Sequence, residues 1–305
     1  MKITLTGSLG HISKPLAKEL VQKGHSVTVI SSKTERQKEI EALGAKAAIG
    51  SMTDADFLTK AFTGSDIVYA METLGEDFFF NQNLDYMTAI INIGNNYKKA
   101  IEQSGVKKVI HLSSIGAHTD KGNGMLAFHH KVENILKELS SDVAIKFMRP
   151  VGFYYNMFAY MQTIKTQGII VQNYGGDEKE PWVSPTDIAA VIAEEMETPF
   201  NGRTIRYIAS DELSPNEVAA ILGAAINKPD LKWVTITDEQ MLGGMIAAGM
   251  NAGVAKGLVD MNEGRRSGVL YEDYYKNRPT LSKTKLKDFA KDFAAAYTNS
   301  NTTNH

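Results

Sequence analysis

The 305-residue chain has no cysteine, two tryptophans and no excess of either charge, with 33 Lys+Arg against 35 Asp+Glu and a formal net charge of −2. Without cysteine there are no disulfides, no thiolate nucleophile and no Cys-based zinc or iron–sulfur site. The balanced charge provides no general attraction to nucleic acid or to an anionic membrane. No uninterrupted apolar run is long enough to span a bilayer. Met1-Lys2 leads straight into Ile3-Thr4-Leu5-Thr6 with no secretory leader, so a cytoplasmic protein is expected. H-E-x-x-H, G-x-S-x-G and Walker patterns are missing from the sequence. His129-His130 cannot chelate one ion from one face, because helix neighbours diverge by about 100°. No metal site is expected.

What is present is a strand–helix alternation. Short β-rich runs fall at Lys2–Thr6, Ser26–Ile30, Ala45–Ile49, Asp66–Met71, Lys107–Leu112 and Val143–Met148. Between them, Ile12, Leu16, Ala17, Leu20 and Val21 recur at helical spacing. Thr53-Asp54 offers N-caps before Phe57, Leu58, Ala61 and Phe62, and a longer helix is expected over 83–103. Buried, non-alternating strands separated by helices predict an α/β fold with a doubly wound parallel sheet. After Pro150 the rhythm changes. The spacing predicts a polar connection over 167–181, a helix over 184–197, a strand over 204–208 and a capping box at Ser214-Pro215-Asn216-Glu217. A strand at 233–236, a glycine-broken apolar segment over 238–261 and a terminal helix over 280–297 complete the reading. Residues 1–152 are expected to form the first domain and 153–305 a smaller C-terminal α/β substrate region, with 184–210 packing back on the sheet.

The glycine-bearing stretch Thr6-Gly7-Ser8-Leu9-Gly10-His11-Ile12-Ser13 follows the first strand and opens the first helix. Gly7 permits a tight turn, Gly10 allows close backbone approach to a diphosphate, and the helix start favours the anion. Ser13 stands where a third glycine is usual, and is small enough to preserve helix–strand packing. This predicts the dinucleotide-binding Rossmann fold. At the end of the second strand, an NAD-selective site places an acidic residue. Here Ser32, Lys33 and Arg36 stand in that region, which suits a 2′-phosphate and predicts NADP in preference to NAD.

On the helix carrying Phe128-His129-His130-Lys131-Val132-Glu133, the wheel gives Phe128, Val132, Ile135, Leu136 and Leu139 as the buried stripe. It puts Lys131 on one edge of that stripe, His129 on the other, and turns His130 away. Loops at the carboxyl ends of the strands supply Phe78, Phe79, Phe80, Phe153, Tyr154 and Tyr155, flat apolar surface for a planar acceptor. His118 lies on one of these loops. Met241, Met245 and Met250 in the glycine-broken segment suit an adaptable pocket wall, a lid or a loosely packed helix pair.

Taken in order, Thr6–Ser13, His111–Ser114, Lys131 with Glu133, the run from Met148-Arg149-Pro150 to Asn156, and Pro181–Ala189 resemble the NmrA-like branch of atypical short-chain dehydrogenase/reductases. Its members include NADPH quinone reductases and isoflavone reductase-like proteins. The resemblance implies an NADPH-dependent reductase passing hydride to a quinone-like or conjugated carbonyl acceptor. The alternative it leaves is a non-catalytic NADP(H) sensor. It implies a cofactor groove of Gly7, Leu9, Gly10, His11, Ile12, Ser32, Lys33, Arg36, Met71, Lys131, Pro150 and Phe153. Lys131 and Ser113 are the catalytic candidates, and Phe78, His118, Tyr154 and Tyr155 the substrate pocket. One departure matters. Short-chain dehydrogenases place a general-acid tyrosine four residues before the active lysine, yet position 127 is alanine and no tyrosine precedes any lysine by four. A tyrosine-dependent alcohol dehydrogenase or sugar-nucleotide epimerase is therefore disfavoured. The expected partner is a small molecule, with no nucleic acid or membrane, and oligomer formation stays open.

Overall fold

The structure, a computed structural model, describes residues 1–302. The chain runs β1 (Lys2–Leu5), α1 (Ser13–Gln22), β2 (Ser26–Ser31), α2 (Gln37–Ala42), β3 (Lys46–Ile49), α3 (Ala55–Phe62) and β4 (Ile67–Ala70). It continues through α4 (Tyr86–Ser104), β5 (Lys108–Leu112), α5 (Ala127–Lys137), β6 (Ala144–Pro150), β7 (Gly152–Phe153), α6 (Met161–Gln167), β8 (Ile169–Gln172) and β9 (Glu180–Val183). The last part holds α7 (Pro185–Glu197), β10 (Arg203–Ile208), β11 (Asp211–Leu213), α8 (Pro215–Ala225), β12 (Lys232–Thr235), α9 (Asp238–Ala247), α10 (Ala252–Ser267), α11 (Glu272–Lys276) and α12 (Leu286–Thr302).

Seven strands form one sheet in the order β10-β6-β5-β4-β1-β2-β3, every pair parallel. Parallel strands need covered crossovers, which places helices on both faces. Leu16 and Leu20 of α1 pack with Ile188 and Ile192 of α7 over one face. Leu58 and Phe62 of α3, Ile93 and Tyr97 of α4, and Val132 and Leu136 of α5 cover the other. This is the Rossmann-like, NAD(P)-binding architecture. Its strand order reverses between β1 and β4, and at such a switch point a crevice opens beyond the carboxyl ends of the strands. Local chemistry fixes several helix starts. Asp54 accepts from Asp56 N and Phe57 N, Ser184 from Thr186 N, and Ser214 with Glu217 closes a reciprocal box.

A third core joins Tyr160, Ile164, Ile170, Val218, Leu222, Trp233 and Phe293 from the C-terminal part. Three boundaries differ from the sequence expectation. The connection over 167–181 contains β8, whose Ile169-Ile170-Val171 pairs in parallel with β12 as a two-stranded sheet. The glycine-broken segment is two helices, divided by Gly249 at φ +86°. The terminal helix starts only at Leu286, because 280–285 are held out as a strap. Asp187 Oδ2 accepts from Thr284 N at 3.0 Å and Oδ1 from Thr284 Oγ1 at 2.9 Å. No helix among the described residues is long and apolar enough to cross a membrane.

Candidate active site

The turn after β1 is shaped by close contact. Gly7 has φ +85°, and a Cβ there would lie 2.6 Å from Ser13 Oγ and 2.7 Å from Met71 Sδ. Ser13 turns its hydroxyl back to Thr6 O at 3.1 Å, locking the first turn of α1 to the strand it left. Ser8 also takes a positive φ of 52°, supported by Ser8 Oγ donating to Ser31 Oγ at 2.9 Å. Position 12 is the N-cap of α1 and places no side chain over its first turn, so the helix start faces the crevice uncapped. Gly10 and His11 are exposed and Ile12 is buried, while Leu9 packs against the core. Met71, just past β4, is fixed by backbone: its N–H meets Thr6 Oγ1 at 2.8 Å and its carbonyl accepts from Tyr97 Oη at 2.5 Å. The cradle is therefore tight on the protein side and open on the other. That is the arrangement a diphosphate requires.

At the end of β2, Ser32 and Lys33 are exposed and Arg36 is half-buried. Arg36 Nη1 reaches Glu39 Oε2 at 2.7 Å, and Lys14 Nζ reaches the other oxygen at 2.7 Å. Hydrogen bonds from Lys14 and then Arg36 hold the Glu39 carboxyl below its ordinary value. Glu35 adjoins Arg36 in the chain, but the acidic partner of Arg36 is Glu39, three residues on. Lys14 was not among the candidates.

Beyond β5 and β6 lies a buried polar network. Ser113 Oγ donates to Glu133 Oε1 at 2.6 Å, and Arg149 grips the same carboxylate with Nε–Oε1 at 2.8 Å and Nη2–Oε2 at 2.7 Å. Arg149 Nη1 reaches Asp273 Oδ2 at 3.1 Å, and Tyr207 Oη donates to the same oxygen at 2.7 Å. Burial pushes the Glu133 carboxyl up, but the bonds and charge of Arg149 outweigh it and the net shift is downward. Ser113 is only 2% exposed. Its proton is committed to Glu133, which makes it a positioning group at this edge.

The two edge positions of the α5 wheel differ in depth, Lys131 being exposed and His129 half-buried. Lys131 is exposed, with no hydrogen bond or ion pair among the described residues, so its ammonium is free to meet a ligand. His129 turns Nδ1 inward without a partner, and burial, then the nearby His111, pushes its pKa down to about 3. His130 is pinned by Ala117 O at 3.0 Å from Nδ1. A pair not anticipated from the sequence lies alongside: His111 Nε2 and Glu72 Oε1, 3.0 Å apart, both side chains fully buried.

The acceptor candidates separate. Tyr155 is 41% exposed and its ring centroid lies 3.7 Å from that of His11, so the glycine turn after β1 and the segment after β7 touch. Phe78 is half-buried between Phe79 and Tyr86, with Phe79 and Phe80 exposed. The loop bearing them is tied to the start of α10, where Asn251 Nδ2 donates to Asn81 O at 2.8 Å. Phe153 packs on the sheet core and Pro150 closes β6, its carbonyl accepting from Ile115 N at 2.9 Å. Tyr154 is a correction. It is fully buried, stacks on Phe289 at 5.6 Å and is aimed at Thr284 O, because every third residue of this tight helical turn, Tyr154, Met157 and Tyr160, faces the C-terminal core. His118 is half-buried with Nδ1 unpartnered among the described residues, and burial lowers its pKa. Two cavities, of about 600 Å³ beside β10 and about 510 Å³ beside the end of α10, share none of these acceptor residues.

The chain is 26% identical over 260 residues, 85% of either chain, to an NAD(P)H azoreductase of Xenophilus azovorans. Among solved structures, it superposes on an NADPH-dependent quinone oxidoreductase of Escherichia coli, complexed with NADPH, with a TM-score of 0.79 at 19% identity, covering 95% of this chain and 99% of that one. A triphenylmethane reductase of Citrobacter sp. matches with a TM-score of 0.75 at 18% identity, covering 97% and 100%. The NmrA-like family model matches residues 1–287, and the chain belongs to the NmrA-like family.

Proposed function

We propose that this chain is an NAD(P)H-dependent oxidoreductase that prefers NADPH and passes hydride to a flat, conjugated acceptor of the quinone, azo or dye type. The observation that carries the reading is the Gly7 cradle at the switch point, where a Cβ would strike Ser13 at 2.6 Å. Gly7, Leu9, Gly10, His11 and Ile12 would hold the diphosphate, with Ser32, Lys33 and Arg36 around the 2′-phosphate. Met71, Pro150, Phe153 and Lys131 would line the remainder of the groove. When bound, the reduced nicotinamide supplies a hydride. The protein's task is then to align the acceptor, exclude water and stabilise charge on the acceptor atom.

Lys131 is the group for that last task. It is a free cation on the helix that also carries Glu133, and the bidentate Glu133–Arg149 pair fixes that helix against β6. Phe78, Phe79, Phe80 and Tyr155 offer the planar surface. Azo and quinone relatives point to acceptors whose reduction needs alignment more than a tyrosine acid, in keeping with Ala127.

The test is anaerobic NADPH oxidation against quinones, azo dyes and triphenylmethane dyes, with Lys131→Ala in parallel and NADPH affinity measured separately. Turnover that falls at least tenfold in the variant is expected. Silence across the panel, with unequal affinities for NADPH and NADP⁺, would instead make the chain a redox sensor.

A further inference from the structure

From Met241 to Met250 the chain runs without a polar side chain, and most of this stretch lies on helix α9. Such a run belongs in a core, yet no residue of α9 is buried. At about 100° per residue, Met241, Leu242 and Met245 share a face with Asp238. Asp238 turns that face inward, its carboxylate held by Arg266 at 2.8 and 2.9 Å and by Asn173 at 2.8 Å. The three apolar side chains stay only half-buried, so protein does not fill the space beside them. Gly243 and Gly244 occupy the opposite face, where an added Cβ would meet nothing within 4 Å.

The end of α9 is joined to the acceptor loop. Asn251 N donates to Phe79 O and Gln82 Nε2 to Gly249 O, both at 2.8 Å. Phe79 is 39% exposed, Phe80 58% and Ile246 46%. An apolar strip thus runs from the flat surface at Phe78–Phe80 along α9, and an exposed strip of this kind marks a binding groove. Its chemistry narrows the occupant. No Lys or Arg lies between Ile236 and Asn251, whereas Asp238 and Glu239 do, so nothing there attracts an anionic membrane. A ten-residue helix is about 15 Å long and about 10 Å wide, well short of the roughly 800 Å² per partner of a stable dimer. A flexible hydrocarbon chain needs neither charge nor a large face, and unbranched methionines conform to it.

We propose that α9 and the Phe79–Phe80 loop bind an aliphatic chain carried by the acceptor, which makes the substrate class a flat conjugated head with a flexible apolar tail. This rests on the oxidoreductase reading: the head stands at Phe78 and Tyr155, and the tail lies along Met241, Leu242 and Met245.

The experiment compares 2,3-dimethoxy-5-methyl-1,4-benzoquinone with its 6-decyl analogue on the full chain, by anaerobic NADPH oxidation and by NMR of methyl-labelled methionine. The decyl compound is expected to show a kcat/KM at least about tenfold higher, through a lower KM, for which burial of about two methylenes suffices. The Met241 and Met245 methyl resonances should shift saturably with it and not with the tailless quinone. Leu242→Gln should remove the decyl advantage and leave NADPH affinity and turnover of the tailless quinone unchanged. Ala247→Gln, on the outer face, should keep the advantage. Equal kcat/KM for the two quinones, an undiminished advantage in Leu242→Gln, or no saturable methyl shift up to about 0.1 mM decyl compound would each overturn the proposal. So would an advantage that appears only with phosphatidylcholine vesicles, or only where sedimentation shows a dimer. Turnover of both quinones with equal kcat/KM leaves the oxidoreductase reading standing, whereas saturable methyl shifts without turnover remove that reading and keep the tail site.

Discussion

Ser113 Oγ and Glu133 Oε1 are 2.6 Å apart, inside the protein and turned toward each other. This bond ties the end of β5 to the middle of α5, and Arg149 completes it from β6. The three elements that bound the proposed nicotinamide end of the groove are thus joined through one carboxylate. Ser113→Ala should cost about 1–2 kcal/mol of stability, because Glu133 keeps its arginine. Arg149→Met should cost about 3–5 kcal/mol, since it strands a buried charge. Urea unfolding of both variants checks the order. A larger loss in Ser113→Ala would show that the serine, not the arginine, sustains the network.

Gly7→Ala should abolish NADPH binding and lower stability by about 1–3 kcal/mol, from the positive φ and the contacts with Ser13 and Met71. Gly10→Ala is a milder change for the fold. Its added Cβ would meet only Gly7 O, at 3.2 Å, and its φ is not positive. Melting temperature should therefore separate the two, while calorimetry with NADPH shows weakened binding in both.

Glu39→Gln should release Arg36 and Lys14 from their shared carboxylate. NADPH affinity is expected to rise by about two- to fivefold, with NADH affinity unchanged. A rise for both coenzymes would place these cations away from the 2′-phosphate.

His129 makes a pH prediction. The unfolded chain takes up its proton near the ordinary 6.5, whereas the folded protein holds the ring neutral until about pH 3. Between those values the unfolded state binds the extra proton, so stability falls as pH falls. The full contribution is present above 6.5 and is lost toward 3, at up to about 1.4 kcal/mol per pH unit. His129→Leu should flatten the slope of unfolding free energy between pH 6.5 and 4.5. An unchanged slope would assign the acid sensitivity to other groups.

Most of the cofactor-binding half was legible in the chain. Its strands are short apolar runs, and its turns carry glycine or capping residues with a direct backbone consequence, such as Gly7, Asp54 and Ser184. What escaped depends on partners distant in sequence. β8 is invisible without β12, some sixty residues later. Glu72 and His111 become a pair only when β4 and β5 lie side by side. On α5 the wheel gave directions but not depth, and depth decides that His129 is half-buried with its Nδ1 turned inward while Lys131 is exposed. The Glu39 partner of Arg36 was within reach, because i,i+3 neighbours on one helical turn face each other.

One of the two edge strands of the sheet, β10, reaches β6 only after the chain has left for β7 to β9 and returned through α7. The coenzyme-binding half is therefore sewn shut by a later stitch. A fragment cut at residue 152 would leave the Ile145–Pro150 edge bare and strip α7 from the apolar flank of α1. During synthesis that half must wait, unsealed, until residue 208 has emerged. The two halves are therefore to be expressed, dissected or grafted as one piece.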